Sequence, residues 1–133
     1  MKLQAQLLAR EVISNNDGTF DVKGAGLDQF QATIFPSLNV AYLLTRLLLE
    51  PEDIRPVQIF RLRIIQGDRE VMESTNVPII ARNRDAAGRA YINVTMRLAW
   101  PTFGPGEGLI ESAMDELQLP LLPFQVAHTG GGT

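Results

Sequence analysis

The sequence predicts an all-β protein, a single antiparallel β-sandwich of about seven to nine strands with Greek-key, jelly-roll or immunoglobulin-like connections. Residues 90–98 alternate strictly between apolar and polar side chains, which is the period of a half-buried strand. Segments of this type are separated by turn signals at nearly regular spacing, and none has a convincing helical period. With 133 residues, 45% of them hydrophobic, the chain has the size and apolar content of one folded domain.

The predicted strands follow one another along the whole chain. The first two form a hairpin, because residues 15–18 between them are a strong turn signal. Gly24 and Gly26 then predict a bulge or a close approach of the backbone. In full, the predicted strands cover residues 7–13, 19–22, 29–35, 38–49, 57–66, 70–80, 90–98, 109–114 and 117–126.

The segment 38–49 has two interpretations. Its many leucines are good helix formers, so a helix is the alternative. A strand is predicted because Pro36 precedes the segment, Pro51 follows it, and the neighbouring segments have the two-residue period.

Proline and glycine also predict the periphery of the domain. Pro78 places the end of its strand at a sheet edge, because proline cannot donate to the hydrogen-bond ladder. Pro120 and Pro123 predict a peripheral position for the last strand on the same grounds. The single sandwich domain is predicted to cover residues 1–127, and the glycine-rich residues 128–133 are expected to form a flexible tail.

Composition excludes several chemistries and partners. The chain has no cysteine, which excludes disulfides, thiolate nucleophiles, cysteine-ligated zinc and iron–sulfur clusters. The formal net charge of −3 argues against a broad electrostatic surface for nucleic acid or an anionic membrane, so neither partner is expected. No apolar stretch approaches the roughly 18 residues of a membrane span. The first residues do not resemble a signal peptide, and a cytoplasmic protein is expected.

No catalytic residue, metal site or cofactor is predicted. His128 is the single histidine, and it lacks a second ligand or orienting group in the sequence around it. A nucleophile elbow is absent. The alternative is a calcium site, since β-sandwiches bind calcium through acidic loops, although solvated acidic turns are more common. Its candidate ligands lie at residues 15–17, 50–53 and 115–116.

Four candidate binding residues lie on two predicted strands. Arg61 and Arg63 share one strand face, and Arg97 shares a face with Tyr91. If the two strands were neighbours, these side chains would form a basic, partly aromatic surface of the kind that stacks single-stranded nucleic acid. Cross-strand ion pairs with the interspersed carboxylates are the more common outcome.

Trp100 and Phe103 are the other two binding candidates. They lie in a segment rich in proline and glycine, and an exposed aromatic corner there would suit a carbohydrate or peptide ligand. The alternative is a tryptophan that packs over one end of the core and anchors the loop.

Several motifs, taken in order, carry a resemblance to a known family. They are residues 7–11 (LLARE), 16–18 (NDG), 22–28 (VKGAGLD), 35–36 (FP), 117–122 (LQLPLL) and 123–126 (PFQV). Together they resemble a bacterial family of small, stand-alone proteins classed as a domain of unknown function. The resemblance implies a sandwich and brings no known activity, cofactor or catalytic residue. The chain departs from the family pattern at residues 108–114, where an aromatic-rich strand is typical.

The first functional hypothesis is a non-catalytic binding or protein-interaction module that self-associates. Residues 57–66 and 38–49 are apolar on both faces, which is more apolar surface than one sandwich face requires, and such patches often mark protein interfaces. One alternative is a carbohydrate- or calcium-binding sandwich, or an enzyme, built on the loop carboxylates. The other is a structural component of a larger assembly such as a phage or secretion particle.

Overall fold

The computed structural model describes residues 1–129, with the backbone alone at residue 74, and this part of the chain is all β. Eleven strands are joined by turns and one short 3₁₀ turn at Pro51–Asp53. None of its helical turns has the length and apolar character needed to cross a lipid bilayer. The strands are β1 Lys2–Ala9, β2 Glu11–Ser14, β3 Phe20–Lys23, β4 Gln29–Ala32, β5 Ser37–Leu49, β6 Gln58–Gln66, β7 Arg69–Ile79, β8 Ala90–Thr102, β9 Gly106–Met114, β10 Leu117–Gln118 and β11 Leu122–His128.

One sheet of the sandwich contains three antiparallel strands in the order β1-β5-β8. The ladder between β5 and β8 runs without a register shift from Ser37 opposite Thr102 to Leu49 opposite Ala90. The strand interpretation of residues 38–49 is therefore confirmed, because this segment is the centre of the sheet and extends along its whole length. The strand predicted at 90–98 is also confirmed, and it continues to Thr102.

The second sheet contains six strands, with β4-β11-β9-β6-β7 as its main order and β10 paired to β9. The predicted antiparallel β-sandwich is confirmed, with one exception among the described strand pairs, since β4 and β11 are parallel. The last strand is not peripheral, because β11 lies between β4 and β9. Pro123 is tolerated there because pairing with β4 begins only at Gln125, beyond the residue that has no N–H to donate.

The two larger sheets face each other across one hydrophobic core, as expected for a β-sandwich. Along β8, Ile92, Val94 and Leu98 point inward, and along β6, Phe60 and Leu62 do the same. This alternation is the two-residue period that the sequence contains. The observed strands are more numerous than expected, because the first predicted strand is interrupted at residue 10 and the last is interrupted between residues 118 and 122.

An aromatic cluster fills one part of the core. Trp100 packs edge-on against Phe30 at 5.3 Å and against Phe124 at 5.4 Å between ring centroids. Phe124 lies across the backbone of Gly108, its partner in the β9–β11 ladder. A Cβ atom at Gly108 would come within 2.2 Å of the Phe124 ring, so the absence of a side chain there allows the ring to reach the core.

The hairpin β2–β3 covers part of the outer face of the three-stranded sheet. Val12 packs with Ala9 and Leu44 in a second, smaller cluster, and Tyr42 and Phe20 lie against it. The hairpin thus buries Leu44 on the apolar outer face of residues 38–49, the face that predicts an intermolecular interface, whereas Leu38 on the same face is 62% exposed.

The end of the described chain differs from the expected tail. β11 extends to His128, whose Nε2 lies 3.0 Å from the carbonyl oxygen of Thr33, and the imidazole packs beside Phe35. The first residue of the predicted tail thus belongs to the sheet. Residues 130–133 of that tail lie outside the described part of the chain.

Candidate interaction surface

Arg61 and Arg63 lie on the exposed face of β6, and both make contacts within their own sheet. Arg61 donates from Nη2 to the carbonyl oxygen of Asp115 at 2.6 Å. Arg63 donates from Nε to Glu111 at 2.5 Å, and this hydrogen bond raises the pKa of the guanidinium. These cross-strand contacts are the common outcome for charged residues on a solvated sheet face.

Tyr91 and Arg97 lie on the outer face of β8, which belongs to the opposite sheet. The condition for one basic, aromatic surface is therefore not met, because β6 and β8 are not neighbours and their polar faces point away from each other. Tyr91 instead lies beneath Arg46 of β5, with 4.2 Å between the guanidinium carbon and the ring centroid.

Trp100 and Phe103 do not form one exposed aromatic corner. Trp100 is 0% exposed and belongs to the core, so its indole has no accessible surface for a ligand. Phe103 is 53% exposed and has the guanidinium of Arg69 over its ring at 4.8 Å. The two residues differ because they lie on either side of the point where β8 ends at Thr102.

Two of the candidate calcium ligands, Asp53 and Asp115, meet at Gln58, whose Nε2 also donates to the carbonyl oxygen of Asp53 at 3.2 Å. Asp115 accepts from Gln58 Nε2 at 2.5 Å and from the N–H of Ile59 at 2.9 Å, which fastens the turn after β9 to the start of β6. Asp53 binds the ammonium group of Met1 at 2.6 Å, and this hydrogen bond holds the pKa of Asp53 below its ordinary value. Within residues 1–129, no three acidic or histidine side chains come together in a metal-binding arrangement.

A groove of about 500 Å³ lies over β9 and β11. Apolar Ile65, Leu109 and Pro123 line it together with the carboxylates of Asp28 and Glu107. Its lining contains no serine, threonine, lysine or histidine, and its titratable groups are the two carboxylates. It is a concave surface with two acidic groups, which the sequence did not locate because its walls come from four distant segments.

Three of the four edge strands in the two larger sheets carry features that hinder pairing with another strand. In β1 the register shifts between Leu3 and Ala5, and the carbonyl oxygen of Leu8 accepts from the N–H groups of Gly26 and Leu27. β4 has only four residues. β7 contains Pro78, and its ladder with β6 shifts register twice.

The fourth edge strand, β8, has none of these features over residues 90–100. Its ladder with β5 is unbroken, it contains no proline or glycine before Pro101, and Arg97 is its single charge. In the described part of the chain, no backbone hydrogen bond joins its other edge to any segment. Along this stretch of eleven residues, about 34 Å long at 3.4 Å per residue, every second residue therefore presents its N–H and C=O groups on the side away from β5, where they have no backbone partner among the described residues.

The fold and this edge define the class of the molecule: an all-β sandwich with one long, regular strand whose side away from β5 makes no backbone hydrogen bond within residues 1–129. No protein-family model matches the chain, and no curated protein matches it either. The resemblance to a bacterial family therefore stays a prediction.

Proposed function

We propose that the protein is a non-catalytic protein-interaction module that binds an extended segment of a partner along the free edge of β8. The observation that carries the proposal is the contrast between this edge and the other three. Monomeric β proteins generally interrupt, shorten or charge their edge strands, and an unprotected edge is a template for strand addition.

The burial of β8 supports this role. Ile92, Val94, Leu98 and Trp100 fix the strand from its inner face, since each is at most 4% exposed. A strand held in this way is already in the conformation that pairing requires, so little conformational entropy is lost when a partner binds. Main-chain hydrogen bonds then supply affinity, and the outward side chains supply selectivity.

The test uses a displayed library of random eleven-residue peptides, selected on the immobilised protein, with the selected peptides then mapped by NMR. The expected result is that they perturb the amide signals of residues 90–100 and leave those of β7 unchanged. The Thr95→Lys variant places a charge on the exposed face of β8 and should weaken binding of uncharged peptides, whereas Asn76→Lys on β7 should not. Selected peptides that bind the groove at Glu107 instead would overturn the proposal.

The groove supports a second candidate function, the binding of a sugar. This function is supported by the carboxylates of Asp28 and Glu107, which lie beside the apolar side chains of the groove. Carboxylate oxygens accept hydrogen bonds from the hydroxyl groups of a sugar, and apolar side chains pack against its ring. A thermal-shift screen with mono- and oligosaccharides tests it. A stabilisation that the Glu107→Gln variant abolishes would favour this function, and an unchanged Tm with every sugar would remove it.

A further inference from the structure

We infer that the segment bound along β8 is β8 of a second copy, related to the first by a two-fold axis that passes beside Thr95. This inference rests on the proposed function and specifies its partner. When two copies of one strand pair in antiparallel orientation, the residue on the two-fold axis lies opposite itself, and this residue fixes every other pair of the ladder. The sequence of β8 therefore decides which residue can lie on the axis.

Pro101 limits the length of the pairing. It has no N–H to donate, so the longest acceptable ladder runs from Ala90 to Trp100 and is centred on Thr95. In this register Ala90 lies opposite Trp100 of the other copy. Inward-facing residues lie opposite inward-facing residues, so each sheet continues into the next without reversing its faces.

The outward side chains are compatible with this register. Thr95 lies opposite Thr95, a favourable cross-strand pair. Arg97 lies opposite Asn93, so the single charge of the strand meets a neutral amide and no like charges face each other. Tyr91, which is 46% exposed, lies opposite Ala99. The strand is thus complementary to itself on its solvent face.

Met96 provides the argument on the inner face. It points toward the core like Val94 and Leu98, yet it is only partly buried whereas those two are at most 4% exposed. In the register centred on Thr95, Met96 of each copy lies opposite Val94 of the other. The second copy therefore covers the one inward-facing side chain of β8 that the described chain leaves partly exposed.

The first measurement is a cysteine cross-link, which is clean because the chain has no cysteine of its own. The Thr95→Cys variant should form a disulfide dimer on mild oxidation, since directly opposed residues lie within the Cα separation that a disulfide accepts. The Asn93→Cys variant should not, because its two copies would lie about 14 Å apart along the ladder. Asn76→Cys on β7 is the control for random collisions.

The second measurement is a charge exchange at the axis, followed by sedimentation velocity. Thr95→Lys and Thr95→Asp should each raise the dimer dissociation constant about tenfold, because like charges then meet across the axis. An equimolar mixture of the two variants should restore association. The same changes at Asn76 should have no effect. The methyl signal of Met96 should shift with protein concentration, and that of Met72 on β7 should not.

The outcomes separate this inference from the proposed function. If the protein stays monomeric at millimolar concentration while library peptides bind β8, the inference that β8 pairs with a second copy is wrong. The proposal that the protein is an interaction module is then retained. Cross-linking of Asn93→Cys in place of Thr95→Cys would overturn the two-fold centre and with it the inference. Peptides that bind elsewhere would remove both.

Discussion

β7 and β8 are consecutive long strands, and each forms an edge of one of the two larger sheets. They differ in the features that hinder pairing of this edge with another strand. β7 has two register shifts, Pro78 and the charges of Arg69, Glu70 and Glu73, whereas β8 has one charge before Pro101. Their inner faces also differ. Val94 and Leu98 of β8 are buried, and Val77 and Ile79 of β7 are only partly buried. The strand with the interrupted edge is thus the less deeply buried one, and the strand with the regular edge is the more deeply buried one.

The largest expected effect tests the anchoring of β8. Trp100→Ala should lower the free energy of unfolding by about 3–5 kcal/mol, because it removes a fully buried aromatic side chain from the cluster with Phe30 and Phe124. Urea denaturation measures this. Phe103→Ala, at a half-exposed position, is the matched control and should change the stability by about 0.5 kcal/mol or less. Equal losses for the two variants would contradict the placement of Trp100.

The corresponding change on β7 should be much smaller. Val77→Ala removes two carbon atoms from a partly buried position, so the expected loss is about 1 kcal/mol. The same urea titration measures it. A loss as large as that of Trp100→Ala would show that β7 is anchored as firmly as β8 and would end the contrast between the two strands.

Hydrogen exchange should separate the two free edges directly. Amides of β8 that point away from β5 should exchange rapidly in dilute solution and become protected as protein concentration rises, because pairing with another strand satisfies them. Amides on the free edge of β7 should not change with concentration. NMR measures the exchange rate of each amide. Protection of β7 amides that increases with protein concentration would contradict the assignment of the interface to β8.

The smallest expected effect lies in the loop that leads into β8. The N–H groups of Arg89 and Ala87 donate to Oδ1 of Asp85 at 2.9 Å each, and the first of these bonds is the main cause that lowers the pKa of Asp85. A lowered pKa in the folded state means that the stabilisation is present above the unfolded-state pKa and is lost as pH falls through the folded-state value. An NMR titration of the Asp85 carboxyl carbon should give a pKa below the ordinary aspartate value. An ordinary pKa would mean that the loop is not held by this carboxylate.

The strands could largely be predicted from the sequence, because side-chain alternation is a local property. Residues 90–98 and 57–66 alternate clearly, and both are strands whose apolar faces form the core. Strand order was not accessible in the same way. Pro123 suggested a peripheral strand, but pairing with β4 begins beyond it, and no local pattern reveals that β4 is the parallel partner.

The candidate surface was predicted less well, for a related reason. A shared surface of Arg61 and Tyr91 requires that their strands be neighbours, and tertiary packing decides which strands are neighbours. Trp100 was grouped with Phe103 because they are close in sequence, but one is inside and the other outside. The sequence does contain a signal for the free edge, since residues 90–100 include a single charge and no proline or glycine. This signal can be interpreted only once the structure shows that, among the described strands, β8 pairs with β5 on one side and with no strand on the other.

The parallel pair β4–β11 has a consequence for how the chain acquires its structure during synthesis. In residues 1–129, β4 has β11 as its sole sheet partner, and Gln29 must wait for Gln125 before it can pair. On the ribosome, the segment around Phe30 is therefore exposed for most of translation, and the aromatic cluster with Trp100 and Phe124 closes only after nearly the whole chain has emerged. The second sheet is completed late, when the last strand of the described chain pairs with β4.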